Sequence, residues 1–360
     1  FYLRKFDTAP SVEPAKLIRD KNNVIPIVMI YWLIMGQRNF AITGCQGSGK
    51  TTFLKSVVRF IRTEYNLRIQ ELMGELNLRY TYPLRNITAF QETESVSEQE
   101  GLNLQKKTNG AVNILGEIAN AVQASHVIQT AMVASLFAMF THHAKTASDL
   151  VEAISNNLLE LGLYKDKKDA VAMTAKVLNI DCHLDKVRKD RFVERITEII
   201  PVSAKKYPSQ QETLINKLSY LESKKEQGKF DEVDKELANE LGIKDNEDIA
   251  NRLELALADM PEYFHRVTDP ELYDTQDIVK RYPIIENGKE KFDENGNAMG
   301  IFKLEHLPSE NMMNDIKSKL QYDEITEFEN DMRMLQIVSE KGDDAEEVKD
   351  WVQMKLQALS

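Results

Sequence analysis

Gly44-Cys45-Gln46-Gly47-Ser48-Gly49-Lys50-Thr51-Thr52 fits the pattern G-x-x-x-x-G-K-[ST] at every fixed position. Each fixed residue type has a chemical task. Glycines at 44, 47 and 49 let the backbone curl until successive N–H groups converge on phosphate oxygens. Lys50 brings a point charge to the β- and γ-phosphates, and the Thr51 hydroxyl is the expected Mg²⁺ ligand. The run Gly44–Thr52 is therefore a candidate binding site for ATP with Mg²⁺. A plain glycine turn ahead of an amphipathic helix would need neither the lysine nor the threonine.

Such a loop works only between a strand and a helix, and the flanking sequence predicts both. Residues 38–43 read as a short buried strand. Residues 52–64 read as a helix with Phe53, Val57, Phe60 and Ile61 on one face. Further strands are predicted at 67–72, 86–91, 112–115, 136–141 and 195–200, with helices at 119–132, 148–163 and 168–178. Strands alternating with helices imply an α/β fold with a parallel or mixed sheet covered on both faces. Residues 1–6 read as an opening strand, and 12–35 as helical. Residues 209–257 carry helical spacing rich in Lys, Glu and Leu. Residues 288–302 read as a hairpin turning at Asn295-Gly296, and acidic amphipathic helices follow from residue 311.

An NTPase needs an acid at the tip of a neighbouring strand, to hold Mg²⁺ or to orient the attacking water. Glu117 follows the apolar run 112–115 and fits that place, as a metal ligand or a catalytic acid. Glu71 and Glu75, four apart after the 67–72 strand, are placed to present a carboxylate to the γ-phosphate. Thr141-His142-His143 ends the 136–141 strand, where a histidine reaches the γ-phosphate or serves structure alone. As a zinc site the histidine pair is poor, because no further His or Cys stands at ligand spacing.

The 360 residues suffice for two or three cores, and 42% hydrophobic with 29% charged residues is ordinary globular composition. A net charge of −11 argues against a nucleic-acid-coating protein, although basic residues predominate up to about residue 70. Two cysteines, Cys45 and Cys182, provide no disulfide framework and point to a reducing compartment. The apolar run Val24–Met35 has about half the length of a membrane span and contains Pro26, so it reads as a buried helix. Because the chain opens at Phe1 rather than methionine, it is expected to be a fragment of a longer one.

Taken in order, these pieces resemble the CpaF-like ATPases of the type II/type IV secretion and Flp pilus superfamily. Leu3-Arg4-Lys5-Phe6 looks like that family's I-R-K-F strand. Gln70-Glu71-Leu72-Met73-Gly74-Glu75-Leu76 resembles its acidic box, and Ile114-Leu115-Gly116-Glu117 its Walker B strand. Thr141-His142-His143-Ala144 resembles the end of its histidine box, with His143 on the histidine. Arg195-Ile196-Thr197-Glu198-Ile199-Ile200 resembles the strand that follows. The resemblance implies a RecA-like ATP-binding motor domain with Glu117, Glu71 and His143 acting around the nucleotide. It also implies a homo-oligomeric, hexameric ring on the cytoplasmic face of the inner membrane, partnered by an inner-membrane platform protein. On this frame 1–37 is a linker strand and helix, 38–204 the ATPase core, and 205–268 a helical insertion. Residues 269–320 hold the terminal strands and 321–360 an acidic helical tail.

Departures from the family pattern fall away from the loop. Leu72 stands where the acidic box has an aspartate, and Lys107–Val112 keeps one basic residue of an arginine-rich run. Ala119-Asn120-Ala121-Val122 replaces R-G-x-E, Ala134-Ser135 replaces the G-H pair that opens the histidine box, and Ala89 replaces a strand arginine. These changes spare nucleotide binding and touch groups that in the family act between subunits. They keep open a nucleotide-binding scaffold with little turnover, beside the motor. A DNA-translocating RecA-like motor is a third reading, disfavoured by the acidic charge.

Overall fold

The computed structural model describes residues 12–71, 75–91, 100, 111–133, 135–201, 210–228, 231–241, 243, 249–250, 252–253 and 272–359. The predicted 1–6 strand, Leu72 and the arginine-poor 107–110 run lie outside them, and of Glu71 only the backbone lies inside. Residues up to Pro201 and from Tyr273 onward form one compact unit, and the stretch between them forms a second.

Strand β1 (Phe40–Gly44) has five consecutive buried residues, as a strand covered on both faces must. It lies between β5 (Ser135–His142) and β6 (Ile180–Val187), both parallel to it. Beyond β5 come β4 (Ala111–Leu115), β2 (Asn66–Glu71) and β3 (Ile87–Gln91), all parallel. Beyond β6 the sheet continues antiparallel through β7 (Asp190–Pro201), β8 (Tyr273–Pro283) and β11 (Gly300–Leu304). The complete order is β11-β8-β7-β6-β1-β5-β4-β2-β3. One strand, β5, separates the loop-bearing β1 from β4, the strand that leads to Glu117. This is the α/β fold with a mixed, mostly parallel sheet expected from the sequence, and the Gly44–Thr52 loop leaves its parallel centre.

Two apolar layers cover it. One packs Ile154, Leu158 and Val127 of helices α5 (Ala121–Val133), α6 (Ala147–Glu160) and α7 (Lys167–Val177) against Ala41 and Phe140. The other holds Phe40 and Ile42 against Phe53, Leu54 and α2 (Val24–Met35). Eleven of the twelve residues of α2 are buried, which explains an apolar run with no polar face. Its cover includes α11 (Tyr322–Lys341) and α12 (Lys349–Ala358), which converge on Asp331. The Asp331 carboxylate accepts from Trp32 Nε1 at 2.8 Å and Trp351 Nε1 at 2.9 Å. Among the described residues no helix is long and apolar enough to cross a membrane.

Several elements differ from the sequence reading. The 12–35 helix breaks into α1 (Pro14–Leu17) and α2, with Asn22 between them at a φ of 58°. Helix α3 spans Lys50–Val57, starting two residues earlier than predicted, and passes into a 3₁₀ turn at Val58–Phe60. β11 pairs with β8 rather than folding back within 288–302. Between them Asn287-Gly288 joins β9 (Ile285–Glu286) to β10 (Lys289–Glu290), while the Asn295-Gly296 turn closes only the bridge Phe292–Ala298. A short α4 (Leu78–Thr81) precedes β3, and α10 (Glu310–Lys317) follows β11. In the second unit, α8 (Gln210–Glu226) and α9 (Glu232–Glu240) share a small core of Leu218, Leu221 and Ala238.

Candidate nucleotide site

The loop is held in a shape that only glycine permits. Gly44, Gly47 and Gly49 have φ of 141°, 75° and 94°. A Cβ on Gly44 would stand 2.2 Å from the Leu184 carbonyl oxygen and 2.6 Å from Ser48 Oγ. Gly49 caps α3, so the helix's unpaired N–H groups and its positive end face the loop interior. Ser48 Oγ is buried with no hydrogen-bond partner among the described residues. Lys50 donates to Gly44 O at 3.0 Å and Cys45 O at 3.1 Å, and its Nζ lies 3.2 Å from His143 Nδ1. These contacts use all three ammonium protons. Burial lowers the Lys50 pKa, and Glu117 opposes the shift.

Glu117 and His143 are brought to this loop by the register of β4 and β5. Gly116 N–H donates to Gln70 O at 2.9 Å, Thr141 Oγ1 to Gly116 O at 2.6 Å, and Ile118 N–H to Thr141 O at 2.9 Å. The adjacent histidines divide their roles. His142 is buried and donates from Nδ1 to Ile118 O at 2.9 Å, which fixes that nitrogen as protonated because a carbonyl only accepts. Burial lowers its pKa. His143 is half-exposed, with Nε2 2.9 Å from Glu117 Oε1. The neutral tautomer protonated at Nε2 satisfies both ends, donating to Glu117 and accepting from Lys50 at Nδ1.

Lys50, Glu117 and His143 line an open cleft of about 720 Å³, together with Thr51, Glu75 and Arg191. That volume lies in the range of small-molecule and cofactor sites. Gln46 and Thr52 are exposed at its rim, Thr51 is half-buried at the start of α3, and Cys45 is exposed outside the cleft lining. Of the acidic box, Glu75 reaches the cleft, while the Glu71 side chain falls outside the described residues. The donor set fits a polyphosphate, with convergent backbone N–H groups, one lysine and an unpartnered buried hydroxyl. It fits Mg²⁺ in the manner of triphosphate sites, where one protein hydroxyl suffices beside phosphate and water. Thr51 and Glu117 both line the cleft and carry the side-chain oxygens that could hold such an ion.

Sequence reasoning missed β6 and the hairpin leading into β7. Lys186 Nζ donates to Gln46 O and Arg191 Nε to Gly47 O, each at 2.7 Å, so this hairpin grips the loop from outside. Between them β1 and β6 bury a polar layer. Thr43 Oγ1 donates to Asp181 Oδ1 at 2.6 Å and lies 2.9 Å from His183 Nδ1. A hydroxyl has one proton, so His183 Nδ1–H donates to Thr43, which donates to Asp181. Burial pushes Asp181 up to about 6 and His183 down to about 4.

No family model matches the chain, and no curated protein matches it. Among solved structures it is similar to the VirB11 ATPase of the Brucella suis type IV secretion system in complex with sulphate. The two share 17% identity at a TM-score of 0.39, covering 52% of this chain and 56% of that one. The Legionella pneumophila ATPase DotB gives 16% identity and a TM-score of 0.38, covering 51% and 49%. The pilus retraction motor PilT with bound ADP gives 15% and 0.40, covering 53% of each. The chain thus spans about half the length of these solved structures.

Proposed function

We propose that the protein binds ATP with Mg²⁺ at Gly44–Thr52 and hydrolyses it. The observation that carries this reading is the unbroken contact path from Lys50 through His143 to Glu117, at the mouth of an intact phosphate loop. Loop N–H groups and Lys50 hold the triphosphate, Lys50 exchanging the Gly44 and Cys45 carbonyls for phosphate oxygens. Glu117 orients the attacking water, and His143 holds Glu117 in place. Bound Mg²⁺ supplies charge neutralisation to the phosphates. Glu71, at the end of the neighbouring β2, is assigned to the γ-phosphate side on its resemblance to the acidic box.

The order of motifs along the chain extends the proposal. The chain is the motor domain of a ring, a homohexamer seated on the inner face of the cell membrane. The ring couples hydrolysis to export or pilus assembly through an inner-membrane platform protein. A second reading, a nucleotide-binding scaffold with little turnover, is favoured by Ala119-Asn120-Ala121-Val122, where the motor family carries R-G-x-E.

Phosphate release from the assembled ring separates the two readings. The motor gives steady turnover that Lys50→Ala abolishes. Glu117→Gln keeps nucleotide bound while slowing release by roughly a hundredfold or more. Tight binding without turnover in the assembled wild-type ring would establish the scaffold instead.

A further inference from the structure

We propose that Arg191 is a phosphate contact supplied in cis, which makes the site favour nucleoside triphosphate over diphosphate. This rests on the reading of Gly44–Thr52 as a nucleotide site. Arg191 occupies a built position rather than a loose surface one. Its neighbour Asp190 is buried and accepts from Arg19 Nη2 at 2.6 Å, from the Ala298 N–H at 3.2 Å and from the Arg191 N–H at 3.0 Å. On its other side, Phe192 lies under the Arg281 guanidinium at 3.9 Å. The residues before and after Arg191 are therefore fixed, and its side chain departs from a defined point toward the loop.

The side chain then runs along the outside of the loop. Its Cδ stands 3.1 Å from where a Cβ on Gly49 would be, and Nε donates to Gly47 O at 2.7 Å. That bond uses one of five guanidinium donors. The two terminal nitrogens have no hydrogen-bond or ion-pair partner among the described residues, and Arg191 lines the cleft with Lys50 and Thr51. A planar fork tethered at Nε, with both terminal NH₂ groups unspent, matches two oxygens of one phosphate. Lys50 differs, because its three protons already have partners, two in the loop and the third at His143.

Lys186 supplies the internal comparison. It grips Gln46 O from the same hairpin at 2.7 Å yet does not line the cleft. It serves to hold the loop. The first turn of α3 serves phosphates common to both nucleotides, and Lys50 reaches the β-phosphate that both carry as well as the γ-phosphate. A fixed cation farther out at Gly47 acts most on the triphosphate, which carries the additional charge.

The test measures binding of fluorescent ADP and of a non-hydrolysable, fluorescent ATP analogue to the full chain. Arg191→Gln is expected to weaken the ATP analogue at least about tenfold, the loss of a hydrogen bond to a charged group. ADP is expected to weaken several-fold less, and the thermal midpoint to stay put because the side chain is exposed. Lys186→Met is expected to weaken both nucleotides by the same factor. Equal losses for both nucleotides in Arg191→Gln, or no loss, overturn the contact. A wild-type protein that binds neither nucleotide, or whose binding survives Lys50→Ala, overturns the reading of the loop itself and is distinguishable on that ground.

Discussion

His143 Nε2 stands 2.9 Å from Glu117 Oε1, although the two residues belong to the tips of different strands. Both side chains are 48% exposed, so water screens their charges and the contact stabilises little. Its value lies in direction. The imidazole is fixed at Nδ1 by Lys50, and Nε2 then determines where the Glu117 carboxylate points.

Removing the imidazole should therefore cost turnover rather than binding. His143→Ala leaves the loop glycines, Lys50 and α3 unchanged but frees Glu117 to rotate. Misplacement of a catalytic group by about an ångström costs on the order of a hundredfold in rate. We expect kcat for phosphate release to fall by about that factor, with nucleotide affinity changing less than threefold. A variant that loses affinity and keeps kcat would place His143 on the phosphates instead.

Gly44 and Gly162 allow conformational strain to be separated from close approach. Both have positive φ, 141° and 66°, but a Cβ on Gly162 meets nothing within 4 Å. A Cβ on Gly44 meets the Leu184 carbonyl at 2.2 Å, so β1 and β6 must part to admit it. Gly162→Ala should cost about 1 kcal/mol in urea unfolding and leave nucleotide binding intact. Gly44→Ala should cost more and eliminate binding. Equal stability losses would mean that backbone angle alone constrains Gly44.

The contrast between β1 and β6 shows what the sequence made legible. Phe40–Ile42 is apolar on both faces and runs into a motif with fixed spacing, so strand, loop and helix all follow from composition. The residues of β6, IDCHLDKV, place Asp181 and His183 on one face and therefore read as surface, yet both are buried. Their pairing with Thr43 across strands is a tertiary fact that no local pattern carries. Arg191 was hidden for the same reason, since only the β6–β7 hairpin brings it to a loop 144 positions away. Glu117 and His143 were legible as candidates because strand tips are where α/β sheets place their chemistry.

That buried layer makes a prediction with two opposing signs. Asp181 rises from 3.8 to about 6, so its contribution to stability is full below pH 3.8 and is lost as pH climbs through 6. His183 falls from 6.5 to about 4, so its contribution is full above pH 6.5 and is lost as pH drops through 4. Each shift corresponds to about 3 kcal/mol, and they nearly cancel between pH 4 and 6.5. Asp181→Asn keeps an acceptor for Thr43 and removes one sign, so its stability should rise with pH across that window. His183→Gln should fall across it. Parallel slopes in the two variants would show that the pair does not govern the window.

Asp331 anchors the C-terminal helices, and the anchoring can be dissected. Its carboxylate is fully buried, accepts from both Trp32 and Trp351, and pairs with buried Lys355 at 2.6 Å. Asp331→Ala strands two indole N–H groups and leaves the buried Lys355 ammonium with only the half-exposed Glu327, an expected loss of about 3–5 kcal/mol. Adding Lys355→Met removes the under-compensated charge and should recover part of that loss. These two tryptophans are the only ones in the chain, so their fluorescence reports the region directly during urea unfolding. If the charge is what Asp331 serves, the double variant is more stable than Asp331→Ala alone. If the double variant is less stable, Lys355 contributes chiefly through its ammonium over the Trp32 ring and its pairing with Glu327, and the carboxylate serves the indoles.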